Sequence, residues 1–269
     1  PVLLMQQMQS PHHYNMKPSE RRLLSEARLI IWLGPQLESY LDKIIKQQKT
    51  AKVITAVHTQ GLHLLRLRHK HSHKPADDGH SSNAASKPHE DGLTDRQIDP
   101  HLWLSIHNTI AISRHIAAAL IEDAPANAHI YEKNLRRLLE KIEQTKVFVY
   151  TTLQSNKQPF IAFHDAFQYF EQENALNYID SITFDEETAA SLKHIRQINS
   201  LIKTQDIGCL VYQPPEPAIV RSLAERNQLK AVALDPLGQN IQASQNAWNN
   251  AWFEIMRRLA LDFHQCLTP

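Results

Sequence analysis

ANAHIYEKNLRRLLEKIEQTKVFVYTTLQ, residues Ala126 to Gln154, places Tyr131, Leu135, Leu138, Leu139, Ile142 and Val149 at helical spacing with charged residues between them. That is the signature of an amphipathic helix, opened here by Pro125. At 1.5 Å per residue it would run about 40 Å, longer than most globular helices. A helix of that length can join two lobes rigidly, so the segments on either side are read as separate sets.

Upstream, a short extended opening leads through the turn-rich Ser10-Pro11-His12-His13-Tyr14 to Lys17-Pro18-Ser19-Glu20, where Ser19 can cap a helix to about Ala27. A strand, Leu29–Trp32, stops at Gly34-Pro35. A helix (Gln36–Lys46) and a short strand (Val53–Ala56) follow. After Asp99-Pro100 a helix from Ser105 to about Glu122 is expected. Downstream, Pro159-Phe160-Ile161-Ala162-Phe163 reads as a buried strand. After it come a helix at Ala166–Glu173, a short segment Tyr178–Ile182, a helix at Glu186–Thr204, strands Cys209–Tyr212 and Ala231–Leu234, and a closing helix from about Ala243 to Cys266. Alternating helices and strands of these lengths predict α/β units with parallel sheets.

Between His58 and Asp95 apolar periodicity stops and His, Ser, Asp, Lys and Asn take over, the composition of a long loop that is either functional or disordered. Histidine is the compositional anomaly of the chain. Seven of its 16 (His58, His63, His69, His71, His73, His80 and His89) fall in this stretch, irregularly spaced and internal, unlike an expression tag. Imidazole is a common ligand for zinc-like metals, so the bias points towards metal handling.

A net charge of +1 gives no electrostatic case for nucleic acid, and the basic cluster Arg66–Lys74 is interleaved with histidine rather than stacking aromatics. Apolar runs such as Ile116–Ile121 fall far short of the roughly 20 residues that cross a bilayer, so no membrane span is expected. The two cysteines, Cys209 and Cys266, fit one disulfide in an oxidising compartment or two unrelated buried thiols.

His12 follows an extended segment in a turn, His101 precedes a helix, and His164 ends an apolar strand. Side chains from separate loops converge at the carboxyl ends of α/β sheets, and three histidines there could form most of a tetrahedral zinc site. Taken singly, each has a plainer reading: an exposed turn residue, a helix-start residue, a partner of Asp165. Catalytic zinc also uses three histidines with an open position. Yet the chain has no H-E-x-x-H, G-x-S-x-G, P-loop or G-x-G-x-x-G, and its six glycines leave little for phosphate-cradling loops. No enzyme activity is expected.

The motifs together resemble those of the zinc-binding receptors of bacterial zinc ABC importers. Ser10-Pro11-His12-His13-Tyr14 with Lys17-Pro18-Ser19 is similar to that family's S-P-H-x-Y…P-S segment, and Ala27–Gly34 to its A-D-L-V-V-W-V-G strand. Asp99-Pro100-His101-Leu102-Trp103-Leu104-Ser105 matches D-P-H-L-W-L-S. Phe163–Phe170 resembles F-H-D-A-Y-x-Y-F, and Leu234-Asp235-Pro236-Leu237-Gly238 matches L-D-P-L-G. The motifs stand in family order across nearly the whole chain.

The resemblance implies an α/β protein of two lobes, each with a mainly parallel sheet and surrounding helices, joined by one long rigid helix with Zn²⁺ in the interlobe cleft. It divides the chain into an N-terminal lobe (1–125) carrying the His-rich loop (58–95), a linking helix (126–156) and a C-terminal lobe (157–269). It implies His12, His101 and His164 as the metal ligands and Asp235 as a possible fourth. Manganese relatives place a carboxylate where His164 stands, and three imidazoles favour zinc. It further implies an auxiliary metal-collecting role for His69, His71, His73, His80 and His89, and a disulfide between Cys209 and Cys266. The expected protein is periplasmic and monomeric, has no catalytic turnover, and delivers Zn²⁺ to an inner-membrane ABC permease. The alternative is a metal-dependent adhesin on the same scaffold.

Three departures stand against the pattern. The family's opening strand and helix have no counterpart before Pro1. Tyr212-Gln213-Pro214-Pro215-Glu216 has Gln where the family usually has Glu-Pro. The loop, with Asp78, Glu90, Asp91 and Asp95, is less acidic than in some members.

Overall fold

The computed structural model describes residues 2–4, 14, 16–68, 97–183, 190–241 and 250–268. The chain gathers into two compact units, Pro1–Trp103 with His107–Leu135, and Leu104–Ile106 with Arg136–Pro269. It passes from the first to the second inside the 26-residue helix Ala128–Leu153 (α4).

The first unit holds α1 (Pro18–Glu26), β1 (Leu29–Trp32), α2 (Ser39–Lys46), β2 (Lys52–Thr55) and most of α3 (Ile106–Asp123). Helix α1 starts one residue before the expected cap. Pro18 presets the first helical φ, and Glu20 reaches back to accept from the Lys17 N–H at 2.6 Å, so Ser19 lies inside the first turn. Strands β1 and β2 pair in parallel from Leu29↔Lys52 to Trp32↔Thr55. On one face of β1, Ile30 and Trp32 bury against Leu24, Leu41 and Ile45, while the Trp32 indole N–H donates to Thr55 Oγ1 at 2.8 Å. Leu4 packs beside the same cluster, and residues 2–4 are irregular rather than strand.

The chain leaves β1 through Gly34, at φ +145°, where a Cβ would stand 2.6 Å from Gln36 Oε1 and 2.9 Å from Val57 Cγ1. Glu38 closes this turn, its Oε2 accepting from Leu33 N at 2.7 Å and Gly34 N at 3.4 Å. That closure delays α2 from the expected Gln36 to Ser39.

The second unit is built on a four-stranded, wholly parallel sheet of order β4-β3-β5-β6: β3 (Pro159–His164), β4 (Asn177–Thr183), β5 (Cys209–Tyr212) and β6 (Lys230–Ala233). On one face Ile161, Ile182 and Leu210 pack against Ile198 and Ile202 of α6 (Leu192–Thr204) and Val220 and Leu223 of α7 (Ala218–Asn227). On the other, Phe160 meets Phe263 of α8 (Ala251–Leu267), their rings 5.2 Å apart, and Phe170 of α5 (Gln168–Glu173) stacks on the same ring at 5.6 Å. Strands covered on both faces need no polar alternation, and Phe160, Ile161 and Ala162 are all fully buried. Glu173 accepts from Ser105 Oγ and, at 2.8 Å, from Ile106 N, which holds residues 104–106 in this unit.

Two helix starts differ from expectation. Helix α6 begins at Leu192 rather than Glu186, because the Ser191 side chain accepts from the His194 N–H at 3.2 Å and caps it there; residues 184–189 lie outside the described residues. Helix α8 is described from Ala251, with residues 242–249 outside, and α7 was not foreseen, its ten residues giving only a short periodic signal. Cys209 and Cys266 are joined, with Cα atoms 5.5 Å apart, tying α8 to β5. Loop closure over that span is worth about 4 kcal/mol in the chain-entropy account. Among the described residues no helix is long and apolar enough to cross a membrane.

Burial raises the Glu38 carboxyl above the ordinary range, and the two backbone donors only partly oppose it. A carboxyl raised on folding binds more protons in the native state, so its contribution to stability grows as pH falls and is lost as pH rises through the folded pKa. Glu38→Gln keeps an acceptor for both N–H groups without the buried charge. In denaturant unfolding, the native chain should therefore gain stability relative to Glu38→Gln as pH drops from 7 towards 4. A difference that is constant with pH, or of opposite slope, would contradict this.

Candidate metal centre

His101 sits in the first unit, in the turn between Asp99-Pro100 and a short 3₁₀ segment, Leu102–Leu104. Only 4% of it is exposed, and Asp99 is buried at 1%. Asp99 Oδ1 accepts twice from this one residue, from the His101 backbone N–H at 3.0 Å and from ring Nδ1 at 2.7 Å. A carboxylate oxygen accepts, so in a neutral His101 this contact places the proton on Nδ1 and leaves Nε2 with the lone pair that can meet a metal. The Trp103 ring, 5.3 Å away and tilted by 55°, flanks the imidazole.

His164 is the last residue of β3 in the second unit and is buried at 5%. In the order β4-β3-β5-β6 the chain first winds outward from β3 to β4 and then returns past β3 to β5. The carboxyl end of β3 is therefore the place where the winding reverses, the position at which open α/β sheets bind ligands. Asp165 N donates to Thr183 O at 3.2 Å and Ala166 N to His164 O at 3.0 Å, which fixes the turn beyond the histidine.

Asp235 follows β6 at the same edge of that sheet. Its Oδ1 accepts from Gln239 N at 3.0 Å and its Oδ2 from Asn240 N at 2.7 Å. The carboxylate thus organises the loop through Gly238, at φ +69°, where a Cβ would lie 2.9 Å from Ile255 Cδ1. Only its remaining lone pairs are left for a metal. Asp262 of α8 feels that carboxylate: burial first, and then the Asp235 charge, raise its carboxyl, with Arg258 opposing.

His12 lies outside the described residues, as do His69, His71, His73, His80 and His89. Tyr14, which ends the His12 motif, is described and buried. Its ring lies 5.2 Å from that of Tyr40, and burial, followed by its hydrogen bond to Glu20, pushes its hydroxyl up to about 12. Among the described residues no three histidine, cysteine or carboxylate side chains gather closely enough to hold a metal ion. Sequence reasoning missed Asp99 as the orienting partner of His101. The D-x-H spacing was its signal, because a carboxylate two residues ahead in a turn can fold back onto the ring.

Comparison with known proteins places the whole chain. Residues 1–266 fit the family described as zinc-uptake complex component A, periplasmic. The high-affinity zinc uptake system protein ZnuA of Brucella suis biovar 1 is 32% identical over 288 residues, covering 100% of this chain and 85% of that protein. A crystal structure of ZnuA superposes with a TM-score of 0.73 at 22% identity, covering 96% of this chain and 87% of that one. A mutant of the laminin-binding adhesin Lmb from Streptococcus agalactiae shares the fold, with a TM-score of 0.73 at 19% identity over 97% of this chain and 90% of that one. The chain belongs to the family of periplasmic component A of zinc-uptake complexes.

Outer partners of metal-binding histidines typically contribute 10–100-fold to metal affinity. Asp99→Asn, which keeps the shape but weakens the acceptor, should lower zinc affinity by a factor in that range when measured by competition with a chromophoric chelator. Unchanged affinity would show that the Asp99–His101 pair does not serve metal binding.

Proposed function

We propose that this chain is an extracytoplasmic receptor that captures Zn²⁺ as cargo and hands it to a membrane ABC permease, with no catalytic turnover. The observation that carries the reading is the buried His101 imidazole, held by Asp99 in the tautomer a metal needs. Family membership and the position of His164 at the reversal of the sheet support it. His12, His101 and His164 supply three neutral nitrogens, a donor set that suits four-coordinate zinc. Water takes the fourth place, or Asp235 through the lone pairs its loop leaves over. The histidines of the His-rich segment act as an auxiliary collector, the two units as the lobes of a monomeric receptor, and the periplasm as its location.

The adhesin reading draws on the likeness to Lmb, which at 19% identity shows the fold alone. Growth in zinc-poor medium after gene deletion separates the two readings. Transport predicts loss of growth with host attachment unchanged.

Calorimetric titration with Zn²⁺ should show one tight site, retained when residues 69–90 are removed. His101→Ala or His164→Ala should each weaken that site by orders of magnitude, whereas changing any one histidine of the removed segment should not. Because protons and Zn²⁺ compete for the same imidazole nitrogens, affinity should fall steeply as pH drops from 7 towards 5. A tight site that survives both histidine substitutions would overturn the assignment.

A further inference from the structure

We infer that Asn108 is a positioning residue for His101, acting through His63 and a short antiparallel ladder that joins residues 65–67 to 97–99. Asn108 lies in the first turn of α3 and is fully buried. Its side-chain oxygen accepts from His63 N at 2.8 Å, and its amide donates to His63 O at 3.0 Å. One side chain thereby satisfies both backbone groups of His63, as a neighbouring strand would.

Two residues on, Leu65 O accepts from Asp99 N at 2.8 Å, Leu67 N donates to Gln97 O at 2.9 Å, and Arg66 pairs with Ile98 in antiparallel fashion. Leu65, Ile98 and Asp99 are buried, so the Asp99 end of this ladder is shielded from water, while Arg66 and Gln97 are exposed. Asp99 then takes the backbone N–H and ring Nδ1 of His101. Each link from Asn108 to the imidazole is either one of these hydrogen bonds or a covalent step of two residues. His107 and His115 of α3 hold the turn just before this segment, at Gly61 O and Thr59 Oγ1, each at 2.9 Å, but of the three only Asn108 is buried and grips both polar groups of one residue.

Without the Asn108 amide His63 loses the two hydrogen bonds that tie its backbone to α3, and the Leu65 carbonyl that Asp99 N donates to is held less firmly. The carboxylate then no longer meets Nδ1 in one geometry. The His101 ring samples both tautomers, only one of which offers Nε2 to a metal. The predicted effect on affinity rests on the reading of His101 as a zinc ligand. The effect on tautomer does not.

The test uses the full chain with Asn108→Ala, and with Asn108→Asp, which keeps an acceptor for His63 N and loses the donor to His63 O. The His101 tautomer is read from long-range ¹⁵N–¹H NMR of the metal-free protein, with Asp99→Asn as reference. Zinc affinity is read by chelator competition. The native chain should show an Nδ1-protonated His101. Asn108→Ala should show a mixture and bind zinc about tenfold more weakly, at the low end of the range for outer partners, with Asn108→Asp between. Should Asn108→Ala fail to fold, Asn108→Asp carries the same comparison. A folded variant with native tautomer and native affinity but a lowered melting temperature would overturn the inference and leave Asn108 a purely structural residue. A shifted tautomer with unchanged affinity would sustain the positioning role and remove His101 from the ligand set.

Discussion

A single buried carboxylate oxygen, Asp99 Oδ1, takes the proton on His101 Nδ1 and the backbone N–H of the same residue. A histidine held only by its backbone would spread over rotamers and tautomers, and a metal would have to select one at a cost in affinity. With Asp99 in place the ring is held in one orientation. The surrounding sequence follows from the need to bury this pair: Ile98, Leu102 and Leu104 on either side are at or near zero exposure. Nearby, the backbone of residues 63–67 satisfies the polar groups that burial would otherwise strand.

The second unit solves the same problem by topology. A parallel sheet with helices on both faces sends each strand's last residue towards the same edge, and reversing the winding beside β3 opens space there. His164 needs no special loop to be delivered to that edge, because it is simply where β3 ends. Asp235 reaches the same edge from β6, but its carboxylate is drawn into its own loop by Gln239 and Asn240. The disulfide from β5 to α8 and the Phe160–Phe263 contact hold the covering helix onto this sheet.

Much of this was legible in the residues. The long periodic stretch foretold α4 within two residues at its start and one at its end, and β1 was read without error, because a four-residue apolar run between a helix and Gly34-Pro35 has few other readings. The disulfide came from the resemblance, since two distant cysteines alone do not declare a pair. What the sequence hid were decisions made by side chains reaching back on the backbone: Glu38 closing a turn and delaying α2, Ser191 starting α6 late, Glu20 capping α1 in place of Ser19. Asn108 is the clearest instance, for an asparagine in a helix reads as a weak helix former until its two bonds to His63 are seen. At the candidate site, motif order pointed to His101 and His164, while the partner that orients His101 became visible only as a distance.

The central claim is that three imidazoles, presented as neutral donors, hold the zinc. X-ray absorption spectroscopy of the zinc-loaded protein at neutral pH tests it most directly, because multiple scattering from imidazole rings reports how many histidines bind. The account predicts three histidine nitrogens at about 2.0–2.1 Å and one oxygen, in a four-coordinate shell. A shell dominated by oxygen, or one with a single imidazole, would contradict it.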